Sequence, residues 1–419
     1  MRIEIICTGD EVLTGKIVNS NFSHISQRLE DVGLDVVWGT TVGDDRTQLL
    51  DAFQRAGARA DAVIVNGGLG PTVDDLSQEI AAKAAGLDLV LDETWLVRME
   101  EFFTRRQRVM PPNNRKQAML PRGAEMLDNP VGTACGFALD IGQARFFFTP
   151  GVPRELKRML EDQIIPRLLA RSGAPGVIRL KRFHSYGIGE SHADTLLDGI
   201  EAMAEEGCAK LGFRAHYPQL ETKLVVRGRD ADDVARKLAP LQDEVRRRLG
   251  NFILAEDDQT LESVVLAELA RIESSVSFVE TFSAGQMAAR IAHLPGAEAL
   301  FRRGVVARSP GLLGPALALD LPDFGGDAAA RCADAVRRQS DAAIGLAMLV
   351  DLDEGADRID LGGTLHIAIS TPAGTVTREA RILGGRDWVR LGAIEMGLDC
   401  LRRFLQGLPI DERTDFEKR

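Results

Sequence analysis

The sequence predicts an α/β protein whose first domain is a doubly wound, mostly parallel sheet. Short apolar runs rich in β-branched residues alternate with amphipathic helical patterns over residues 1 to about 170, which is typical of repeated βα units. A glycine-rich turn at residues 66–75 also joins the end of one buried strand to the start of a helix. Such sheets carry helices on both faces and have right-handed crossovers.

Length and composition narrow the function classes. The 419 residues are enough for two or three domains of roughly 100–200 residues each. The net charge of −11, from 51 basic and 62 acidic residues, argues against general nucleic-acid binding and against an acidic membrane surface. The five cysteines form no C-x-x-C pair, so we predict neither a disulfide framework nor a zinc knuckle. With no signal peptide or membrane-spanning stretch, we expect a cytoplasmic protein.

The elements of the first domain follow in chain order. Predicted strands over residues 3–7, 36–42 and 62–65 alternate with helices that begin near Asn19 or Ser20, near Leu49 and at Leu76. Each strand ends in an acidic pair: Asp10-Glu11, Asp44-Asp45 and Asp74-Asp75. Because parallel strands present their carboxyl ends at one edge, we expect one ligand site there. The sequence has neither the G-x-G-x-x-G turn of a dinucleotide site nor the lysine of a Walker P-loop at this edge.

The glycine-rich turn is the strongest binding candidate. Gly67, Gly68 and Gly70 remove side chains where a ligand could approach the backbone. The helix that follows offers unpaired N–H groups suited to phosphate, and the adjacent Asp74 and Asp75 indicate a divalent cation between carboxylates and anion. The alternative is a plain βα turn in which the aspartates cap the helix.

Two later turns extend this region. Residues 112–117 carry amides and cations that could hold a phosphate or a base, and they follow a helix with Trp95, Met99 and Phe102 on its apolar side. Residues 129–134 form a glycine turn, and a buried strand over residues 146–149 ends at Pro150–Glu155. The alternative for these turns is backbone geometry alone.

Six ordered motifs resemble the competence/damage-inducible protein CinA family and cover essentially all of residues 1–170. They are Gly9–Gly15, Val42–Asp45, Gly67–Thr72, Asp74-Asp75, Asn129–Ala134 and Pro150–Glu155. The resemblance implies a first domain similar to molybdopterin-binding domains that acts as a metal-dependent ADP-ribose pyrophosphatase and releases AMP and ribose 5-phosphate. Cys135 stands where the family usually has proline.

The resemblance also implies roles for individual residues. Asp44 and Asp75 match the catalytic and metal-binding aspartates, with Glu11 as a weaker metal ligand for Mg, Co or Mn. A metal held by carboxylates offsets the charge of a pyrophosphate and lowers the pKa of a bound water. The expected substrate- and phosphate-binding residues are Gly67, Gly68, Gly70, Thr72, Asn114, Gly132 and Thr133. We expect a small nucleotide as substrate and a homodimer as the assembly.

Residues 171–253 predict a small α+β domain. Residues 172–176 read as a linker, followed by a strand over 177–186, a helix over 192–203, strands over 210–216 and 220–227, and a helix over 231–249. The matching region of CinA relatives resembles a KH-type module. We find no clear nucleic-acid surface, and the three histidines of this region lack metal-ligand spacing.

Residues 254–412 resemble the nicotinamide-mononucleotide deamidase domain that ends CinA proteins, but the catalytic motif departs from it. A strand is predicted over residues 275–279, and a turn from Glu280 to Gly285 leads into a helix. Thr281 stands at the nucleophilic serine, Arg308 at the tyrosine and Leu313 at the lysine. A threonine nucleophile needs a base, and leucine supplies none. We therefore predict a degenerate domain, and the alternative is that a shifted residue rescues the chemistry.

Three functions remain for the whole chain. The leading one is hydrolysis of ADP-ribose or a related nucleotide diphosphate. The second is a bifunctional salvage enzyme that also deamidates nicotinamide mononucleotide. The third is a non-enzymatic nucleotide- or pterin-binding protein of competence or DNA damage. The charged end from residue 411, with 413–419 as a tail, is expected to fray.

Overall fold

The structure, a computed structural model, describes residues 1–173, 177–205, 207–321, 324–353 and 362–417. It divides into two units, Met1–Arg179 and Leu180–Arg419. Most of the predicted linker, residues 174–176, lies outside the described residues.

The first unit alternates strands and helices as the sequence predicts. Its strands are β1 (Ile3–Thr8), β2 (Val36–Val42), β3 (Ala62–Asn66), β4 (Leu89–Leu91), β5 (Met119–Pro121), β6 (Glu125–Leu127), β7 (Gly136–Ile141) and β8 (Ala144–Thr149). Its helices are α1 (Asp10–Leu13), α2 (Ser20–Asp31), α3 (Arg46–Arg59), α4 (Ser77–Ala85), α5 (Glu93–Thr104), α6 (Pro153–Met159) and α7 (Ile165–Ser172). A 3₁₀ segment spans Pro112–Ala118, and a π-helical turn spans Leu160–Ile164.

The main sheet of this unit has the order β2-β1-β3-β8-β7-β6. The first four strands are parallel, β7 runs antiparallel to β8, and β6 runs antiparallel to β7. Every residue of β1 and β3 is buried, because helices cover both faces of the sheet. The predicted doubly wound, mostly parallel sheet is confirmed, with an antiparallel edge.

Two apolar cores hold the helices against the faces of this sheet. Phe53 of α3, Ile80 of α4 and Trp95 of α5 pack on one face. Leu29 of α2 and Leu156 of α6 pack on the other. A fully buried side chain of this size contributes about 1.5–3 kcal/mol, so these contacts hold the strand ends in place.

The second unit contains two further sheets. Its strands are β9 (Val177–Tyr186), β10 (Ala209–His216), β11 (Gln219–Gly228), β12 (Ile253–Glu256), β13 (Val276–Thr281), β14 (Phe301–Ala307), β15 (Ile344–Leu352), β16 (Gly362–Thr371) and β17 (Gly374–Leu383). Its helices are α8 (Glu190–Leu197), α9 (Ala231–Leu249), α10 (Leu261–Arg271), α11 (Gln286–Ala292), α12 (Ala297–Leu300), α13 (Pro310–Leu317), α14 (Gly326–Gln339) and α15 (Arg386–Leu405). The 3₁₀ segments are Glu201–Met203 and Gly250–Phe252.

The two sheets have the orders β10-β11-β9-β12 and β14-β13-β15-β16-β17. The first, with α8 and α9, is the predicted small α+β module. The second is parallel from β14 through β13 to β15 and antiparallel from there on. Helices α10, α11 and α15 contribute to one of its cores, and α13 and α14 contribute to the other.

Two element predictions in this unit are wrong. The helix expected over residues 192–203 ends at Leu197, because Asp198 leaves the helical region at φ −52° and ψ 136° and Gly199 has φ +78°. The strand expected to end at Val279 continues to Thr281. The reason is tertiary pairing, since Thr281 lies opposite Ala307 of β14 and Glu280 lies opposite Met348 of β15.

The expectation of a frayed chain end is also wrong for residues 411–417. The guanidinium of Arg378 is buried and donates to the carbonyl oxygens of Ile410, at 2.7 Å, and Glu412, at 3.0 Å. Farther along, Asp415 Oδ2 accepts a 2.8 Å hydrogen bond from the N–H of Gly189. Buried guanidinium groups need acceptors, and this segment supplies them.

Candidate functional site

A cavity of about 650 Å³ lies at the carboxyl ends of the parallel strands in the first unit. Its walls come from the segments that follow β1, β2, β3 and β8, together with residues near 117 and 133. The ends of these strands are in register, since Thr8 pairs with Val42, Cys7 with Asn66, and Asn66 with Thr149. The sheet therefore gathers four separate loops around one space, and the three that follow β1, β2 and β3 are those that the sequence places at one site.

The glycine turn is folded tightly onto the start of α4. Gly67 and Gly68 have φ +113° and φ +70°, and a Cβ on Gly67 would lie 2.6 Å from Oγ1 of Thr8. The hydroxyl of Ser77 donates a 2.9 Å hydrogen bond to the carbonyl oxygen of Gly67. The backbone N–H of Ser77 donates a 3.1 Å hydrogen bond to the carbonyl oxygen of Gly68. The first N–H of α4 is thus used by the turn itself, which differs from the expectation that it faces a phosphate.

The capping alternative for the aspartates of this turn is not what the structure shows. The residue before α4, Leu76, makes no side-chain cap. Oδ2 of Asp75 instead accepts hydrogen bonds from the N–H of Thr72, at 2.8 Å, and from the Thr72 hydroxyl, at 2.6 Å. Asp75 is therefore held beside the turn as a cavity residue.

Five carboxylate side chains line the cavity: Glu11, Asp44, Asp74, Asp75 and Glu155. Asp44 is anchored by a reciprocal pair of 3.2 Å hydrogen bonds, in which its Oδ2 accepts from the N–H of Asp10 and its N–H donates to Oδ1 of Asp10. Partial burial raises the pKa of Asp44, and the neighbouring charges of Asp10, Glu11 and Asp74 raise it further.

The donor chemistry of this cavity suits a hard divalent cation. Carboxylate oxygens are the ligands that such ions prefer, and five carboxylate side chains line this one cavity. No lysine or arginine is among the described residues that line the cavity. Over the described part of the chain, however, no three or more His, Cys, Asp or Glu side chains are already grouped to hold a metal ion.

The other predicted site residues divide into two groups. Gly67, Gly68, Gly70, Thr72 and Thr133 line the cavity. Asn114 and Gly132 are not among its lining residues.

Asn114 supports the cavity wall from behind. Its side-chain amide is buried and donates to Oε1 of Gln117 at 2.9 Å. The amide of Gln117 in turn donates to the carbonyl oxygen of Leu69 at 3.0 Å. Asn114 therefore reaches the glycine turn through Gln117.

Three further lining residues, Thr8, Asn21 and Glu155, are not among the predicted site residues, although Thr8 belongs to a turn whose groups were expected to be able to bind a ligand. Oγ1 of Thr8 is buried and has no hydrogen-bond partner among the described residues. Asn21 donates to Oδ1 of Asn66 at 2.9 Å and to the carbonyl oxygen of Gly151 at 2.7 Å. Two features of the sequence indicate a place near the cavity: Thr8 lies at a strand end, and Glu155 lies in a glycine- and proline-containing motif.

The three residues that the resemblance aligns with the deamidase motif lie in the second unit. Thr281 is fully buried, and its Oγ1 accepts a 2.8 Å hydrogen bond from the N–H of Val350. Leu313 is buried in an apolar core beside Cys332, and the Arg308 guanidinium lies 4.9 Å from the ring centre of Phe282. None of these three positions carries a lysine or a tyrosine.

The carboxylate of Glu280, next to Thr281, is also engaged in hydrogen bonds within the protein. It is fully buried and accepts from the N–H groups of Met287, at 3.0 Å, and Ala288, at 3.1 Å. The hydroxyl of Ser283 donates to the same carboxylate. Glu280 therefore fixes the turn onto α11.

Three family models match the chain in order. A probable molybdopterin binding domain matches residues 4–170, the KH domain of damage-inducible protein CinA matches residues 181–255, and the CinA C-terminal domain matches residues 258–405. The fold and the cavity agree with the first of these assignments. The first unit is thus of the molybdopterin-binding class, followed by a KH-like module and a C-terminal α/β domain.

Relatives of similar length match the chain from end to end. A CinA-like protein of Shewanella amazonensis is 37% identical over 97% of this chain and 96% of its own length. A CinA-like protein of Frankia casuarinae is 36% identical over 99% of this chain and 98% of its own length. The nicotinamide-nucleotide amidohydrolase PncC of Shewanella oneidensis is 35% identical over 97% and 96%. The chain belongs to the CinA-like protein family.

Among solved structures, a CinA protein of unknown function from Thermoplasma acidophilum is 35% identical, with a TM-score of 0.36 over 38% of this chain and 94% of that protein. Within the described ranges, no helix has the length and apolar character needed to cross a bilayer.

Proposed function

We propose that the first domain hydrolyses a nucleotide diphosphate, with ADP-ribose as the first candidate, to AMP and ribose 5-phosphate. The observation that supports this is one continuous cavity lined by Asp44, Asp75 and the glycine turn. A pyrophosphate fits this arrangement, because the glycines let its oxygens approach the backbone and the carboxylates lie at the same space.

In this proposal, Asp44, Asp75 and Glu11 would hold the divalent metal, which is Mg, Co or Mn. The bound ion would offset the charge of the pyrophosphate and lower the pKa of a water molecule. The chain's own contribution is positioning: Thr72 holds Asp75 through two hydrogen bonds, and Asp10 holds Asp44. Geometry of this kind is fixed before the substrate arrives, which reduces the reorganisation needed for reaction.

The test follows AMP by chromatography after incubation of the protein with ADP-ribose and Mg, Co or Mn. We expect metal-dependent AMP formation to fall at least about 100-fold in Asp44→Ala and in Asp75→Ala. Each substitution removes a carboxylate that would hold the metal at the reacting pyrophosphate. Asp45→Asn is the matched control, because Asp45 is exposed, does not line the cavity and only caps α3, which asparagine also does well.

The absence of AMP with all three metals would contradict the hydrolase proposal. If calorimetry then showed tight binding of ADP-ribose without product, a nucleotide-binding role through partners would replace it. AMP that persists in both aspartate variants would place the reaction elsewhere in the chain.

The second candidate is deamidation of nicotinamide mononucleotide, as in a bifunctional salvage enzyme. It is favoured by the name of the relative from Shewanella oneidensis, a nicotinamide-nucleotide amidohydrolase, whereas none of the relatives cited above is named for ADP-ribose hydrolysis. The comparisons therefore support this alternative more than the hydrolase. The geometry at Thr281 and Leu313 speaks for the degenerate domain, so ammonia release that is abolished by Thr281→Ala is the deciding result.

A cytoplasmic location and a homodimer complete the proposal. All five cysteines are free thiols, which suits a reducing compartment. Sedimentation analysis of the full chain tests the dimer directly.

A further inference from the structure

Glu155 lines the same cavity from the side opposite Asp44. Asp44 follows β2, Glu155 follows β8 in the first turn of α6, and the strand order between them is β2-β1-β3-β8. Adjacent strands lie about 4.8 Å apart, so the ends of β2 and β8 are roughly 14 Å apart. Glu155 and Asp44 therefore reach the cavity from loops at the two ends of this row of four strands.

The side chain of Glu155 is held in place at one of its two oxygens. Oε2 accepts a 2.7 Å hydrogen bond from the amide of Asn129, which also donates to the carbonyl oxygen of Ala134 at 2.9 Å. Oδ1 of Asn129 accepts from the N–H of Gly132 at 3.1 Å, which fixes the asparagine itself. Oε1 of Glu155 accepts no hydrogen bond from any described residue.

The turn beside Glu155 is shaped to admit this carboxylate. A Cβ on Gly132 would overlap the Glu155 carboxyl group, so a larger residue at position 132 would displace it. Partial burial raises the pKa of Glu155, while the hydrogen bond from Asn129 opposes this shift. The group is thus positioned, partly desolvated and left with one open acceptor that faces a ligand cavity.

The chemistry of the open acceptor favours hydroxyl groups over a phosphate. A carboxylate in a cavity lined by four others repels an anion, but it accepts hydrogen bonds from neutral hydroxyls. A sugar diol supplies two donors at a spacing that a carboxylate can accept, and an acidic side chain commonly binds ribose hydroxyls in nucleotide sites.

We infer that Glu155 is a specificity-determining residue that accepts hydrogen bonds from the vicinal hydroxyls of a ribose in the substrate. This inference rests on the proposed function, because it assigns the substrate of the same cavity as a ribonucleotide diphosphate rather than a deoxyribonucleotide or an inorganic pyrophosphate. The diol could belong to the adenosine half or to the ribose 5-phosphate half of the substrate.

The test measures binding by calorimetry with Mg present, using two matched ligand pairs. They are AMP against 2′-deoxy-AMP, and ribose 5-phosphate against 2-deoxyribose 5-phosphate. For one pair, the protein should bind the ribose form at least about 10-fold more tightly, since a hydrogen bond to a charged group is lost in the deoxy form. Glu155→Ala should abolish this preference and leave the affinity for the deoxy ligand unchanged within about 2-fold. The pair that shows the effect identifies the half of the substrate that lies near Glu155.

Glu155→Gln and Asp45→Asn are the companion variants. Glu155→Gln keeps the size of the side chain and removes its charge, so it should lose most of the preference while the protein stays folded. Asp45→Asn should keep the full preference. A preference that survives in Glu155→Ala and Glu155→Gln, or a wild-type protein that binds both members of each pair equally, overturns the inference alone. Failure of the wild-type protein to bind any of the four ligands also overturns the inference, whereas the AMP assay with ADP-ribose decides the proposed function separately.

Discussion

The backbone N–H of Val350 donates a 2.8 Å hydrogen bond to Oγ1 of Thr281 across the ends of the parallel strands β15 and β13. This hydroxyl stands where the family resemblance places a nucleophile, yet it is fully buried and satisfies a backbone donor. Leu313, at the position of the expected lysine, is also fully buried. The pair therefore performs a structural task at the position that the resemblance assigns to the nucleophile, and the loss of deamidase activity stays a prediction.

Thr281→Ala should destabilise the protein, because it leaves the buried N–H of Val350 without an acceptor. The expected loss in the free energy of unfolding is about 1–3 kcal/mol. Urea denaturation followed by circular dichroism measures it, and Thr281→Ser, which keeps the hydroxyl, should lose less than half as much. Equal stability of the alanine variant and the wild type would contradict the structural role.

Gly70→Ala should impair the first-domain site more than it impairs folding. A Cβ at this position would overlap Oδ2 of Asp75, and Gly70 is not among the residues with positive φ. The carboxylate must therefore move away from Thr72. We expect at least about a 10-fold loss of metal-dependent AMP formation, since small displacements of positioned groups cost activity steeply.

The unfolding free energy of Gly70→Ala should change by less than about 1 kcal/mol, because the Asp75 side chain can swing into the cavity. Gly212→Ala is the control for the effect of a glycine-to-alanine change by itself, because a Cβ at position 212 would meet no atom within 4 Å. Full activity of Gly70→Ala would show that the observed Asp75 position does not matter.

Asp44→Asn should stabilise the metal-free protein at neutral pH. The pKa of Asp44 is raised above its ordinary value of 3.8 by partial burial and by the charges of Asp10, Glu11 and Asp74. A raised carboxyl pKa means that the folded state binds the proton more tightly than the unfolded state, so stability is lost as the pH rises through that range. Asparagine removes this cost.

The expected gain is on the order of 0.5 kcal/mol at pH 7 after solvent screening, and it should vanish below about pH 3.8. Urea titrations across pH in the presence of EDTA measure this difference, with Asp45→Asn as the neighbouring control. A gain that is constant over the whole pH range would assign the effect to packing instead of charge. A loss of stability at neutral pH would contradict the electrostatic argument.

Glu412→Ala should weaken the second unit, although this residue lies near the end of the chain. Its Oε2 accepts from the guanidinium of Arg403, which is fully buried, and from the amide of Asn251 at 3.1 Å. Asp399 accepts from the same guanidinium at 2.8 Å, so half of the pairing remains. We expect a loss of about 2–3 kcal/mol, because a buried charge becomes under-paired.

The melting temperature of Glu412→Ala, measured by calorimetry, should fall by several degrees. Asp411→Ala is the matched control, since Asp411 is an exposed acidic neighbour. Identical melting of both variants would restore the original expectation that this end of the chain is frayed.

The local sequence determined most of the secondary structure in advance, because its signals act between close neighbours. The apolar run over 62–65 predicts a buried strand, and β3 spans Ala62–Asn66. Asn19 is predicted as a cap, and its side chain accepts from the N–H of Phe22 at 3.0 Å. The acidic pairs at the strand ends also predict correctly that Asp44 and Asp75 line one cavity. Periodicity, capping and strand order were sufficient for these conclusions.

The tertiary structure alone decided which partner each side chain found. Asp75 is turned onto Thr72 instead of capping α4, and Asn114 lies behind the cavity because Gln117 occupies the space between it and the glycine turn. Glu155 joins the cavity because β8 lies beside β3, and Thr281 is drawn into a strand by two neighbours distant in sequence. Such contacts depend on the packing of residues far apart in the chain, which a local pattern cannot encode.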